Sequence, residues 1–234
     1  MSGCYVGTVY VAYGTAKGLR KPEPLLDREG GLMHLGRLWS FEEDAHVSRD
    51  GPGERAYSAA PVDWDGDGDF DLLVGGDGGG FYLRTNEGTK SRPLYSTKVV
   101  AIRAGGEPAR VPRYAMPILA DWDGDGLADL VSGSSEGAVW WFRNVGAAGR
   151  PEFEAGRQLL PDVETGKGHE VRGPRSQVDV ADFDGDGDMD LLVGDLHMNY
   201  VEERKAFDNH GWIWLFRRTG DPAVVDQGTP TRRP

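Results

Sequence analysis

Asp63-Trp-Asp-Gly-Asp-Gly-Asp-Phe-Asp71, Asp121-Trp-Asp-Gly-Asp-Gly-Leu-Ala-Asp129 and Asp182-Phe-Asp-Gly-Asp-Gly-Asp-Met-Asp190 are three versions of one nonapeptide. Each runs into a short apolar segment, Leu72-Leu-Val-Gly, Leu130-Val-Ser-Gly or Leu191-Leu-Val-Gly. Carboxylates at this density repel one another unless a cation sits among them. The nonapeptides begin at 63, 121 and 182, so their spacings are 58 and 61 residues. A period of that size marks a chain of structural repeats, each burying its faces against its neighbours.

The repeat extends outward from the acidic loop in both directions. Before it lies an alternating segment: Ser58-Ala-Ala-Pro-Val62, Met116-Pro-Ile-Leu-Ala120 or Gln177-Val-Asp-Val-Ala181. After the apolar run come a Gly-rich turn and an aromatic strand: Phe81-Tyr-Leu-Arg-Thr-Asn, Val139-Trp-Trp-Phe-Arg-Asn or Trp212-Ile-Trp-Leu-Phe-Arg. A turn with Gly88, Gly146 or Gly220 follows, then Arg92-Pro-Leu-Tyr or Arg150-Pro-Glu-Phe as a fourth candidate strand. Four short β-segments per unit match a blade of a β-propeller. The expected architecture is therefore all-β, with about 3.5 to 4 four-stranded repeats of about 60 residues forming a partial propeller.

The expected boundaries are one repeat domain over 1–220 and a tail over 221–234. The domain divides into a half blade at 1–50, where no acidic loop occurs, and blades at 51–108, 109–168 and 169–220. Two closures fit this phase: a piece of a larger propeller, which the missing half blade favours, or a four-bladed ring sharing one blade between the two ends.

Composition narrows the function classes. The 35 Gly and 14 Pro fit many short elements joined by tight turns. Seven Trp, eight Tyr and eight Phe supply core that a disordered chain lacks. The net charge of −12 argues against a nucleic-acid surface, which is basic. Much of the acidity is local, since three divalent ions would bring it to −6. A single cysteine, Cys4, excludes an internal disulfide. No signal peptide is visible and no apolar run reaches the length of a membrane span.

The donor chemistry selects the cation. Aspartates at loop positions 1, 3, 5 and 9 can turn inward because Gly at 4 and 6 permits a sharp bend. Position 7, occupied by Asp69, Leu127 and Asp188, offers its backbone carbonyl, as Leu127 requires. Such an all-oxygen cage suits calcium better than magnesium, and without His or Cys it does not suit zinc, copper or iron. An EF-hand is excluded because its bidentate Glu at position 12 is replaced by Val74, Ser132 and Val193.

These loops, the apolar runs and the aromatic strands with their Asn-x-Gly or Arg-Thr-Gly ends resemble the calcium loops of integrin α-subunits and the wider FG-GAP/VCBS repeat family. The resemblance covers most of 55–220 and implies a β-propeller with calcium between the first two strands of a blade. It implies three calcium sites: Asp63, Asp65, Asp67, Asp69 and Asp71; Asp121, Asp123, Asp125, Leu127 and Asp129; Asp182, Asp184, Asp186, Asp188 and Asp190. It also implies an extracellular or cell-surface module that binds a protein or glycan partner, with the calcium structural and no catalytic residues. The alternatives are the scaffold of a lyase-like, calcium-dependent polysaccharide-active enzyme, or a structural spacer.

Four further features stand out. The third unit carries an insertion at 195–211 containing His197, Tyr200, Glu202, Glu203, Arg204, Lys205, Asp208 and His210. Such loops on rigid scaffolds often carry binding, although a solvated excursion is the simpler expectation. A second insertion spans 32–55. Arg55, Arg113 and Arg175 precede the loops at similar distances, placed either to pair with nearby carboxylates or to line one face for an anionic sugar or peptide carboxylate. Trp64, Trp122 and Phe183 at position 2 are expected to pack between units.

Overall fold

A computed structural model describes residues 7–40, 42–163, 172–218 and 220–223. The chain is all-β, with one short 3-10 turn at Glu202–Arg204 among the described residues. The N-terminal segment forms three small antiparallel pairs. β1 (Tyr10–Val11) pairs with β4 (Glu23–Pro24), β2 (Gly14–Thr15) with β3 (Gly18–Leu19), and β5 (Arg37–Ser40) with β6 (Ala45–Ser48). The 32–55 insertion is thus largely a hairpin whose base delivers Met33 and Leu35 to the core.

Three meander sheets follow, one on each acidic loop. The first runs β7 (Ala56–Val62), β8 (Asp71–Gly76), β9 (Phe81–Arg84) and β10 (Val100–Ala101). A small pair, β11 (Arg103–Ala104) and β12 (Glu107–Pro108), leads out of it. The second runs β13 (Met116–Ala120), β14 (Asp129–Gly133), β15 (Val139–Phe142) and β16 (Arg157–Leu160). The third pairs β17 (Gln177–Ala181) with β18 (Asp190–Gly194) and β18 with β21 (Ile213–Phe216). Its β19 (His197–Val201) and β20 (Ala206–His210) form a separate hairpin, so the 195–211 insertion is folded β-structure rather than an irregular loop. The fourth strands lie later than the Pro motifs suggest. Tyr95 and Phe153 make single bridges to Asn86 and Asn144, and pairing with the third strand resumes at Val100 and Arg157.

The sheets stack in chain order, with β13 against β7 and β8, and β17 against β13 and β14. This stacking explains the apolar runs. A strand buried on both faces loses the polar alternation of a one-sided strand, and every residue of β8 and β14 is buried. Leu73 enters the core shared with the second sheet, while Leu72 and Val74 point into the core beneath the N-terminal segment. Leu130 and Val131 divide in the same way between the two sides of the second sheet.

In the first two units the Gly that ends the run marks a close approach to the next unit. A Cβ on Gly133 would lie 1.6 Å from the Ser176 carbonyl oxygen, and one on Gly75 would lie 2.0 Å from that of Ala115. At Gly194 the nearest atom, Gln177 O, is 3.9 Å away. Gly133→Ala must displace the backbone ahead of β17, and is expected to cost about 3 kcal/mol, the upper range for overpacking. Gly194→Ala is expected to stay within about 1 kcal/mol. Urea unfolding of the two variants checks this, and equal losses would refute the contact assignment.

Candidate metal centres

Each acidic loop joins the first strand of a sheet to the second. Its two glycines hold φ values that side chains rarely adopt: +79° and +88° at Gly66 and Gly68, +78° and +88° at Gly124 and Gly126, +80° and +95° at Gly185 and Gly187. The chain therefore doubles back within the loop, and the carboxylates gather. Gly66 N donates to Asp63 Oδ1 at 2.9 Å, Gly124 N to Asp121 Oδ1 at 2.9 Å and Gly185 N to Asp182 Oδ1 at 2.7 Å. The fifth-position carboxylates Asp67, Asp125 and Asp186 accept from the backbone N–H two residues on.

The structure brings together three oxygen-donor triplets: Asp63, Asp65 and Asp67; Asp121, Asp123 and Asp125; Asp182, Asp184 and Asp186. Within each, one oxygen per residue lies within 4.8 Å of the others. Three carboxylates at that separation, with no nitrogen or sulfur donor, fit a hard cation such as calcium.

The ninth-position aspartates stand apart from the triplets. Asp71, Asp129 and Asp190 are buried. Each accepts from the second residue of its own loop, Trp64 N, Trp122 N or Phe183 N, at 3.1–3.2 Å. The other oxygen accepts from the end of the third strand, Asn86 N, Asn144 N or Arg218 N, at 2.6, 2.7 and 3.0 Å. This carboxylate ties the loop to the sheet, and it keeps lone pairs for a cation. Burial pushes the Asp129 carboxyl up to about 6 and raises that of Asp71. Ionising them therefore works against folding unless positive charge is near.

Such charge is built into two loops, a feature that reading the motif alone missed. Arg143, on the residue after β15, bonds to Asp123 and also to Asp125, the latter at 2.9 Å. Arg217 lies 3.5 Å from Asp184, and Arg218 pairs with Asp188 at 2.9 Å. The Asp188 side chain, which also accepts from Gly220 N, is thus directed at Arg218. The residue equivalent to Arg143 in the first unit is Thr85, and among the described residues no cationic side chain pairs with Asp63, Asp65 or Asp67. The signal was the residue preceding Asn86, Asn144 and Arg218, but only the fold shows that it reaches the loop.

Neighbouring units cover the loops. The turn at Gly149 packs on the backbone of Asp65. Trp122 Nε1 donates to Pro222 O at 2.8 Å, and the Arg218 guanidinium sits 5.3 Å from the Trp122 ring. Trp122 is fully buried and Trp64 packs near Phe153, whereas Phe183 is 51% exposed, with no comparable cover among the described residues. A groove of about 380 Å³ runs beside the second loop, between Asp123, Arg143, Arg157 and Pro222.

In the 195–211 hairpin, the His197 and His210 rings stack with centroids 5.1 Å apart. Asp195 anchors its base by accepting from Gly173 N, Trp212 N and Trp214 Nε1. The side chains of Tyr200 and Asp208 lie outside the described residues. Arg55 pairs with Asp77 at 2.8 Å, as the simpler expectation holds, but Arg113 and Arg175 converge on the Tyr114 ring instead.

Fold and loops together define an all-β repeat protein with acidic loops between first and second strands. Comparison with protein families bears this out for the centre of the chain: residues 121–193 match the FG-GAP-like repeat, and the resemblance seen in the sequence is shown there. No curated protein matches the chain. No helix among the described residues is long and apolar enough to cross a membrane.

Proposed function

We propose that the chain is a calcium-binding FG-GAP/VCBS-type module whose sheets are blades of a β-propeller, acting outside the cell or at its surface to bind a protein or glycan. The observation that carries this reading is the threefold recurrence of a carboxylate triplet at the same place in successive sheets. The match of the central repeat to the FG-GAP-like family supports it. In this reading, residues 51–108, 109–168 and 169–220 are three blades and 1–50 contributes half a blade. The ligands are the aspartates at positions 1, 3, 5 and 9 of each loop with the backbone carbonyl at position 7. The ions are structural, neutralising the loops so that the first two strands of each blade stay paired.

Calorimetric titration of the chelator-treated protein is expected to give three calcium ions per chain and a rise in melting temperature. Asp67→Ala is expected to reduce the number to two. An unchanged stoichiometry and melting temperature in Asp67→Ala would defeat the assignment.

The arginine pairs make the sites unequal. Arg143 competes with the cation for Asp123 and Asp125 but stands on a part-exposed surface, where solvent screening leaves such pairs weak. Arg143→Gln is accordingly expected to tighten calcium binding at the second loop about threefold. The first loop, without such an arginine, is expected to fill first. Weaker binding in Arg143→Gln would show instead that the guanidinium helps to build the site.

A further inference from the structure

The lead-ins to the first strands lie at the opposite end of those strands from the acidic loops, and they carry irregular backbone. Tyr57 is the extra residue of a β-bulge, where the β7–β8 register shifts between Ala56 and Ser58. Tyr114 and Arg175 both hold left-handed backbone, at φ +53° and +60°. They occupy the same place in successive units, since Tyr114 N donates to Asp77 O and Arg175 N to Ser135 O. Left-handed backbone is uncommon for residues other than Gly and is costly for a bulky one. Bulges re-aim side chains.

What this backbone achieves is convergence. The Tyr57 and Tyr114 rings stack with centroids 4.7 Å apart and planes 19° from parallel. The Arg113 guanidinium sits 4.9 Å from the Tyr114 ring centre and that of Arg175 5.8 Å from it. Arg113 Nη2 also donates to Tyr114 Oη at 3.1 Å. Two guanidiniums on one ring repel each other, yet neither has a carboxylate partner among the described residues of a chain with net charge −12. In the first unit the corresponding Arg55 is neutralised by Asp77. Ser135 stands at that place in the second unit, where its N–H donates to Arg113 O just as Asp77 N does to Arg55 O. Its hydroxyl is turned to Glu136. The pairing of the first unit is thus removed in the second, and Arg113 is left to face solvent.

We propose that Arg113 and Arg175, held on the Tyr57–Tyr114 stack, form a binding site for the carboxylate of an acidic sugar, a uronate within an oligosaccharide. Arginine forks match a carboxylate in two-point geometry, and the Tyr114 hydroxyl, which accepts from Arg113, can still donate to a hydroxyl of the same sugar ring. A peptide strand would also need free main-chain partners. Here the N–H groups of Tyr114, Ala115, Arg175 and Ser176 are taken by Asp77, Gly76, Ser135 and Ser134 carbonyls. Recognition therefore rests on side chains. The overall negative charge does not prevent it, because distant charges are screened beyond about 8 Å at physiological salt. This site deepens the binding role proposed above and rests on that reading, but it does not use the acidic loops.

The test is binding of short hyaluronan and oligogalacturonate fragments to the full chain in saturating calcium. Their carboxyl-reduced forms and an oligoglutamate peptide serve as comparisons. Calcium stoichiometry and melting temperature are measured on the same samples. Binding of at least one uronate fragment is expected, with the reduced form and the peptide bound at least about tenfold more weakly. The Arg113→Ala/Arg175→Ala pair is expected to lose at least about tenfold while keeping its calcium. If that pair melts early, Arg113→Lys/Arg175→Lys keeps the charge and is expected to lose binding through the missing fork. Binding of neither fragment, binding untouched by both pairs, or preference for the peptide would overturn the proposal. Uronate binding lost in the arginine variants of a chain that takes up no calcium would uphold this site and defeat the calcium reading. Calcium uptake without uronate binding would do the reverse.

Discussion

Trp122→Ala is expected to lower the unfolding free energy by about 3–5 kcal/mol, the range for truncating a fully buried aromatic side chain. The indole lies in the core between the second and third sheets with Val131, Trp141, Val178, Leu191 and Trp214. The neighbouring strands pair on both sides of this core, so the cavity cannot collapse without disturbing a sheet. Two further contacts disappear with the ring: the Nε1 bond to Pro222 O and the packing of Arg218. Phe183 holds the same position in the third loop but is 51% exposed, so Phe183→Ala is expected to cost less than about 1 kcal/mol. Urea unfolding followed by circular dichroism compares the two. Similar losses would mean that the motif position, and not burial between units, sets the contribution.

Asp129→Ala is expected to cost about 3 kcal/mol even in calcium-free buffer, because it strands the buried N–H groups of Trp122 and Asn144. Asp125→Ala, in the exposed part of the same loop, is expected to change little without calcium and to lose only the calcium-dependent stabilisation. Thermal melts with and without calcium separate these roles. Equal behaviour of both variants in calcium-free buffer would remove the distinction between tie and ligand. The pH dependence has a definite sign. The folded-state pKa of Asp129 is raised by burial to about 6, above the ordinary aspartate value. Without the cation, its contribution to stability is fully present below that ordinary value and declines as pH rises through about 6. Bound calcium is expected to flatten or reverse that decline. A calcium-free Asp129→Asn variant, which has no such ionisation, should lack it.

The legible part of this protein was its local, repeated part. An Asp-Gly alternation dictates a tight acidic turn wherever it occurs. An apolar run between a turn and a Gly dictates a strand buried on both faces. Their recurrence at 63, 121 and 182 was enough to place the first three strands of each sheet and the triplets that gather in the loops. The fourth strands were less legible, because their pairing depends on β9 and β15 and their sequences carry no strong alternation. The 195–211 insertion looked like a polar loop because its hairpin exposes much of its surface, which leaves little hydrophobic signal.

The sequence by itself determined the donor chemistry of the loops, their number and the all-β repeat, since these follow from residue type and spacing within a few residues. Only the tertiary structure decided which charges meet. It turned Arg143 and Arg217 onto loops 18 to 33 residues away, gave the ninth aspartate to the backbone, set Gly133 against Ser176, and left Arg113 and Arg175 without a carboxylate among the described residues. The physical reason is that stacking successive sheets brings the lead-in of one unit onto the turn of the unit before it. Identical local motifs then acquire different neighbours, and those neighbours set burial, charge and accessibility.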